Sequence, residues 1–110
     1  MVSIKRGEVW WVDFEPAVGT EVKKTRPAVI VSNDASNGAM NRVQVIPVTS
    51  NTTKLYVFES KIGVKGAEGK AMADQIMTAD KQRLKRRIGK ISPPEMLELE
   101  RAIKIQLGIH

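Results

Sequence analysis

Apolar residues in this chain come in short bursts separated by polar stretches rich in glycine and proline, until a longer periodic segment near the C-terminus. Residues 8–14, Glu-Val-Trp-Trp-Val-Asp-Phe, are β-branched and aromatic and predict a first strand. Val9 and Trp11 fall on one face of it, Trp10, Val12 and Phe14 on the other. A strand apolar on both faces belongs inside a sheet rather than at its edge. Residues 15–25, punctuated by Pro16 and Gly19, form a polar loop longer than common hairpin connections, and long loops in small domains tend to carry function. Residues 27–32 predict a short, buried second strand, followed by a turn region holding Asn33, Asp34, Asn37 and Gly38.

Residues 43–48 predict a third strand, with Pro47 near its end, where a missing donor is tolerated. After a polar linker at 49–53, the alternation in 55–59 predicts a half-exposed strand. Gly63, Gly66 and Gly69 interrupt the chain before 70–76 return as a strand. Residues 80–84 predict one helical turn and 86–92 a last short strand. The clearest element starts at Ser92. Ser92 as N-cap, Pro93 at the first helical position and Glu95 three residues on compose a capping box. Met96, Leu99, Ile103 and Leu107 then recur at spacings of three and four as one apolar face, and Gly108 supplies the stop. Strands first and one terminal helix give a mainly-β or α+β plan: a small, strongly bent sheet or barrel with a helix packed on it.

The length, 110 residues, fits one domain spanning 1–110 and excludes a large multi-domain enzyme. With 42% apolar and 27% charged residues the chain is ordinary for a globular protein. A net charge of +6 shifts the picture toward a polyanionic partner, most often nucleic acid. The absence of cysteine removes disulfides, thiolate metal sites and cysteine nucleophiles. Neither a signal-peptide run nor a stretch approaching the ~20 apolar residues of a membrane span is present, so a cytosolic (cytoplasmic) protein with no membrane partner is expected.

His110, the single histidine, sits at the C-terminus, so a Ser-His-Asp triad is not available. The carboxylates follow no metal-binding motif, and no glycine-rich phosphate loop precedes a helix; neither metal nor other cofactor is expected. What remains are polar groups at strand ends. Arg26 precedes Pro27, which biases it to an extended entry into the second strand. Arginine grips phosphate bidentately, although from position alone a surface cation is the better reading. Thr49 and Ser50 follow the third strand, where hydroxyls bind a phosphate oxygen or, more commonly, close a turn. Glu21 and Asp74 are the natural carboxylates for proton transfer if the fold brings them near Arg26. Residues 81–90 hold six basic side chains (Lys81, Arg83, Lys85, Arg86, Arg87, Lys90) and no acidic one, the best candidate for a phosphate track. The adjacent Trp10 and Trp11 read as packing, with base stacking as the alternative.

The order of the pieces is more specific than any one of them. Residues 7–16 (Gly-Glu-Val-Trp-Trp-Val-Asp-Phe-Glu-Pro), Gly19-Thr-Glu21 and residues 25–34 (Thr-Arg-Pro-Ala-Val-Ile-Val-Ser-Asn-Asp) come in turn. Val45-Ile-Pro-Val-Thr-Ser50, Asp74-Gln-Ile76, Thr78, Asp80, Arg83-Leu84 and a terminal helix ending in Leu107-Gly108 follow. Together they resemble the MazF/PemK toxin family over nearly the whole chain. The resemblance implies an SH3-like small β-barrel of the CcdB/PemK type with a C-terminal helix, assembled as a symmetric homodimer. It also implies a growth-inhibiting endoribonuclease that cuts single-stranded RNA, mainly messenger RNA, within a short sequence. A cognate antitoxin with an acidic, flexible segment would neutralise it.

By the same resemblance Arg26 matches the family's catalytic arginine and Thr49 its catalytic threonine. Glu21 matches a loop carboxylate used as a base in some members, and Asp74 an acidic residue implicated in others. Lys54 corresponds to a lysine near the active site. Thr20, Lys23, Lys24, Ser50, Asn51 and Gln75 complete the expected RNA-binding set, most of it in the loops at 15–25 and 51–54 on which specificity rests. Two departures stand out: Thr20 and Met72 occupy positions where some members carry histidine and arginine. A mechanism relying on those two groups is closed to this chain.

The implied chemistry needs no metal. A carboxylate, Glu21 or Asp74, takes the proton of the ribose 2′-OH, whose oxygen attacks phosphorus and expels the 5′-oxygen. The products are a 2′,3′-cyclic phosphate and a 5′-hydroxyl. Arg26 stabilises the charge growing on the non-bridging oxygens, with the Thr49 hydroxyl as second donor. Two other readings compete: a toxin of the same fold that binds gyrase without cutting RNA, and a basic RNA- or DNA-binding module without chemistry.

Overall fold

The computed structural model describes residues 3–110. Its elements, in order, are β1 (Glu8–Asp13), β2 (Thr25–Ile30), α1 (Asp34–Ala39), β3 (Arg42–Thr49), β4 (Glu59–Ile62), β5 (Gly69–Met72), β6 (Met77–Asp80), β7 (Leu84–Lys90) and α2 (Pro93–Leu107). Single 3₁₀ turns occupy Ala73–Gln75 and Lys81–Arg83. The strands form one antiparallel sheet in the order β4-β5-β3-β2-β1-β7, with β6 also pairing with β3. Among the described residues the end strands β4 and β7 do not pair with each other. The fold is therefore the expected α+β plan with the barrel left open.

β1 lies between β2 and β7, as a strand apolar on both faces should. Alternation along the strands sorts the core into two layers. Val9, Val29, Ile46 and Val48 pack on one face against Leu99 and Ala102 of α2. Trp10, Val12, Phe14, Ala28, Ile30, Val43 and Val45 make the other.

Helix α2 obeys its local signals. Ser92 Oγ accepts from the Glu95 N–H, Glu95 accepts from the Ser92 N–H at 2.7 Å, and Gly108 closes the helix in the left-handed region. Its far end departs from expectation. Leu107 is exposed, and the buried residues of the helix are Leu99 and Ala102. The turn region at 33–38 is instead the short helix α1, capped by Asn33, whose side chain accepts from the Ser36 N–H. The last strand starts earlier and ends earlier than 86–92 predicts, at Leu84–Lys90.

Two strand predictions are corrected. Residues 55–57 are exposed and outside any strand, the chain turns at Val57–Phe58, and β4 begins only at Glu59, because Glu59 N–H donates to Tyr56 O and the Glu59 carboxylate accepts from Tyr56 N–H. The strand expected at 70–76 ends at Met72, and β6 follows as a separate strand. Pro47 supplies the reason. Val31 N–H donates to Gln44 O, so residues 44, 46 and 48 of β3 aim their backbone groups at β2, and 45 and 47 aim theirs at the opposite edge. At Pro47 that edge lacks a donor. Val45 pairs with Met77 and Val48 with Ala71, three steps on β3 against six on the facing chain. The surplus leaves the sheet as the Ala73–Gln75 turn.

Candidate functional site

The start of β2 and the end of β3 lie side by side. Ala28 pairs with Pro47, and two residues further on each strand come Arg26 and Thr49. With a side-chain period of two, both project on the face that carries Ala28 and Pro47. Arg26 is half-buried, and its Nε donates to Lys23 O at 3.0 Å. Thr49 is half-buried as well and pairs with Lys70 of β5. Its Oγ1 accepts from Asn51 N–H, and Asn51 Oδ1 accepts in turn from Thr53 N–H, so two side-chain turns in succession lead the chain out of β3.

Three segments close around this end of the sheet: the loop 14–24 entering β2, the loop 50–58 leaving β3, and the 3₁₀ turn Ala73–Gln75. Gln75 ties the first to the third by accepting from Val22 N–H at 3.3 Å. Between them lie two clefts. The first, of about 450 Å³, is lined by Lys24, Arg26, Pro27, Ser50, Trp11 and the 66–68 turn. The second, of about 270 Å³, is lined by Glu21, Asp74, Gln75, Phe14, Met77 and Arg83. Arg26 borders the first cleft and both carboxylates the second, yet Arg26 pairs with Val12, so its side chain shares the sheet face of Phe14, which lines the second cleft. Among the described residues neither carboxylate is ion-paired with Arg26. Glu21 accepts from Val18 N–H at 2.8 Å, which closes its own loop, while Asp74 is exposed.

The expected RNA-binding residues surround both clefts. Thr20, Lys23, Lys24, Ser50, Asn51 and Lys54 are all exposed, and Gln75 is half-buried. Lys24 takes a left-handed backbone, φ 67°, with its N–H on Glu15 and its C=O accepting from Phe14 N–H. The basic run at 81–90 is partly tied into the fold, while Lys85, Arg86 and Lys90 stay exposed. Lys81 donates to Asn37 O, Arg83 to the carbonyls of Asp13 and Glu15, and Arg87 pairs with the buried Glu8 at 3.0 Å. Half of the run is thereby committed to holding loops and strands together. The two adjacent tryptophans are placed differently. Trp10 is buried with its Nε1 on Glu8, but Trp11 is half-buried in the first cleft opposite Pro27. Its register beside the Arg-Pro pair is the signal that marks it. Among the described residues no three His, Asp or Glu side chains converge as a metal site, and no helix is long and apolar enough to cross a membrane.

Comparison with known proteins identifies this arrangement. Residues 5–107 match the family described as PemK-like, MazF-like toxin of type II toxin-antitoxin system. The chain belongs to that family. It is 39% identical over 115 residues to the Endoribonuclease MazF9 of Mycobacterium tuberculosis, covering 96% of this chain and 98% of the relative. The crystal structure of MazF from Deinococcus radiodurans superposes with a TM-score of 0.88 at 28% identity, over 98% of this chain and 99% of the other. A mycobacterial endoribonuclease solved in complex with its cognate antitoxin gives a TM-score of 0.83 at 25% identity, with 97% of each chain covered. The open sheet with one C-terminal helix is therefore the fold of MazF-like toxins.

Proposed function

We propose that this MazF-like toxin is an endoribonuclease that cuts single-stranded RNA, chiefly messenger RNA, at the sheet end where β2 begins and β3 ends. The observation that carries the reading is the shared face of Arg26 and Thr49, reached from the pairing of Ala28 with Pro47 and bordered by two exposed polar loops. A guanidinium and a hydroxyl on one face suit the non-bridging oxygens of a phosphate at which charge develops. A carboxylate of the second cleft, Glu21 or Asp74, takes the 2′-OH proton, and that oxygen attacks phosphorus and displaces the 5′-oxygen, which takes a proton from water as it leaves. The products are a 2′,3′-cyclic phosphate and a 5′-hydroxyl end. The need for a 2′-OH confines cleavage to RNA. Lys23, Lys24 and Lys54 supply phosphate attraction, and Thr20, Ser50, Asn51 and Gln75 the polar contacts to the strand.

The protein acts in the cytoplasm as a symmetric homodimer. Its net charge of +6 suits RNA and equally an acidic antitoxin segment laid over the same face. The antitoxin complex of the mycobacterial relative supports that partnership.

The deciding experiment incubates the purified protein with long single-stranded RNA in EDTA, beside Arg26→Ala and Thr49→Ala. Discrete fragments with 5′-hydroxyl ends, lost in both variants, are expected. RNA left intact by the unaltered protein overturns the reading in favour of a toxin of the same fold that does not cut RNA.

A further inference from the structure

The loop that leaves Thr49 is held by a buried ion pair that contributes nothing to the proposed chemistry. Lys70 Nζ and Glu59 Oε1 lie 2.8 Å apart, with side chains only 9% and 5% exposed. Lys70 Nζ also donates to Lys54 O at 2.7 Å and stands 5.5 Å from the centre of the Tyr56 ring. Glu59 Oε1 accepts from Tyr56 N–H at 2.9 Å. From α2, Arg101 donates to Val57 O at 2.9 Å. The loop's apolar side chains give it little anchorage: Leu55, Tyr56 and Val57 are about half exposed or more, and the half-buried Phe58 stacks on Tyr56 with ring centroids 5.3 Å apart. Desolvating two charges offsets most of what their attraction returns, so a buried pair is a poor source of stability and a good means of fixing geometry. A neighbouring constraint acts on the other end of the loop. A Cβ added at Gly69 would collide with the Thr49 carbonyl oxygen, so β5 approaches the end of β3 as only glycine allows.

We propose that the Glu59–Lys70 pair is a positioning clamp that pre-orders residues 50–58 and thereby sets which RNA sequence is bound beside Thr49. This rests on the proposed ribonuclease reading. Pre-ordering lowers the cost of binding without touching the reacting atoms. Loss of the clamp therefore acts on KM and on the choice of cut site more than on kcat.

The test uses the double variant Glu59→Gln, Lys70→Met, which leaves no unpaired buried charge, and Val43→Ala at the far end of β3 as a destabilised control. Amide exchange of residues 50–58 in the free protein, KM and kcat on an RNA containing a mapped cut site, and the cut-site pattern on a long RNA are measured for each. Faster exchange confined to the loop, a KM raised about tenfold and a relaxed cut-site pattern are expected in the double variant and absent from the control. Unchanged exchange overturns the clamp. Faster exchange with unchanged KM and pattern, or the same changes in Val43→Ala, overturns its role in recognition. RNA left intact by the unaltered protein defeats the ribonuclease reading, while the exchange measurement still decides the clamp.

Discussion

Helix α2 and the loop 50–58 both lie against β4, and they are held there by opposite means. α2 is held by near-neighbour rules and apolar burial: the Ser92–Glu95 capping box, a glycine stop, and Leu99 and Ala102 fully buried in the core. The loop leaves Leu55, Tyr56 and Val57 largely in water and is held by polar contacts, a local one from Glu59 and distant ones from Lys70 and Arg101. One region gains stability from its order. The other spends contacts on shape, which is what a surface that selects a strand of RNA requires. Substitutions on the two sides should therefore separate activity from stability.

The largest effect is expected on the polar side. Arg26→Ala removes a donor to the developing charge and should lower the rate of RNA cleavage by about 10²–10³-fold. As Arg26 is half-buried and its guanidinium bonds only the nearby Lys23 O among the described residues, thermal stability should stay close to that of the unaltered chain. Within the second cleft, Glu21→Gln and Asp74→Asn distinguish the base: the substitution that abolishes the acidic limb of the pH–rate profile, where a carboxylate base is lost to protonation, identifies it.

Next comes the mirror case. Leu99→Ala opens a cavity in the fully buried layer beneath α2 and should cost about 3 kcal/mol of stability. Cleavage per folded molecule, measured well below the melting temperature, should be unchanged. A loss of activity in step with Arg26→Ala would erase the distinction between the two regions.

Trp11 lies between the extremes, since it is half-buried in the sheet yet lines the first cleft. Trp11→Leu keeps an apolar side chain and removes the flat ring. If the ring stacks on a base, RNA affinity falls by about 1–2 kcal/mol while the melting temperature barely moves. A fall in melting temperature with unchanged affinity would assign Trp11 to packing alone.

The same contrast explains what could be read from the chain. α2 was legible to the residue at its start because cap, proline and Glu95 act within one turn. β1 was legible as an interior strand because the double-faced apolar pattern admits one placement. The position of Asp74 and Gln75 was not, although Pro47 carried the cause. A missing donor on β3 expels residues 73–75 only once the pairing with β2 has decided which way Pro47 faces. The exposed segment at 55–57 was hidden for a similar reason, since its alternation imitates a strand and its tethers come from residues up to 44 positions away. Arg26 and Thr49 were marked by resemblance, but their common face follows from register, which no local signal fixes. At 81–90 charge counting does not show which cations are already bonded, as Lys81, Arg83 and Arg87 are.

The smallest effect sharpens the α2 side of the comparison. Burial pushes the Glu95 carboxyl up, but the backbone N–H groups of Ser92 and Gly63, at 2.7 and 2.6 Å, outweigh it and hold the group below its ordinary 4.5. A carboxyl lowered on folding binds fewer protons folded than unfolded in mildly acid solution. Its contribution is therefore complete above pH 4.5 and is lost as the pH falls through the lowered folded value. Glu95→Gln should melt lower than the unaltered chain at neutral pH by roughly 4 °C, for about 1 kcal/mol of lost capping. The gap should narrow as the pH drops below 4.5, because the unaltered chain then loses the same interaction by protonation. It should not remove the acid dependence altogether. Asp34, at the start of α1 and held low chiefly by the Arg6 N–H at 2.7 Å, contributes the same sign. A gap that stays constant from pH 7 to pH 3 would mean that Glu95 acts on α2 through packing and not through its charge.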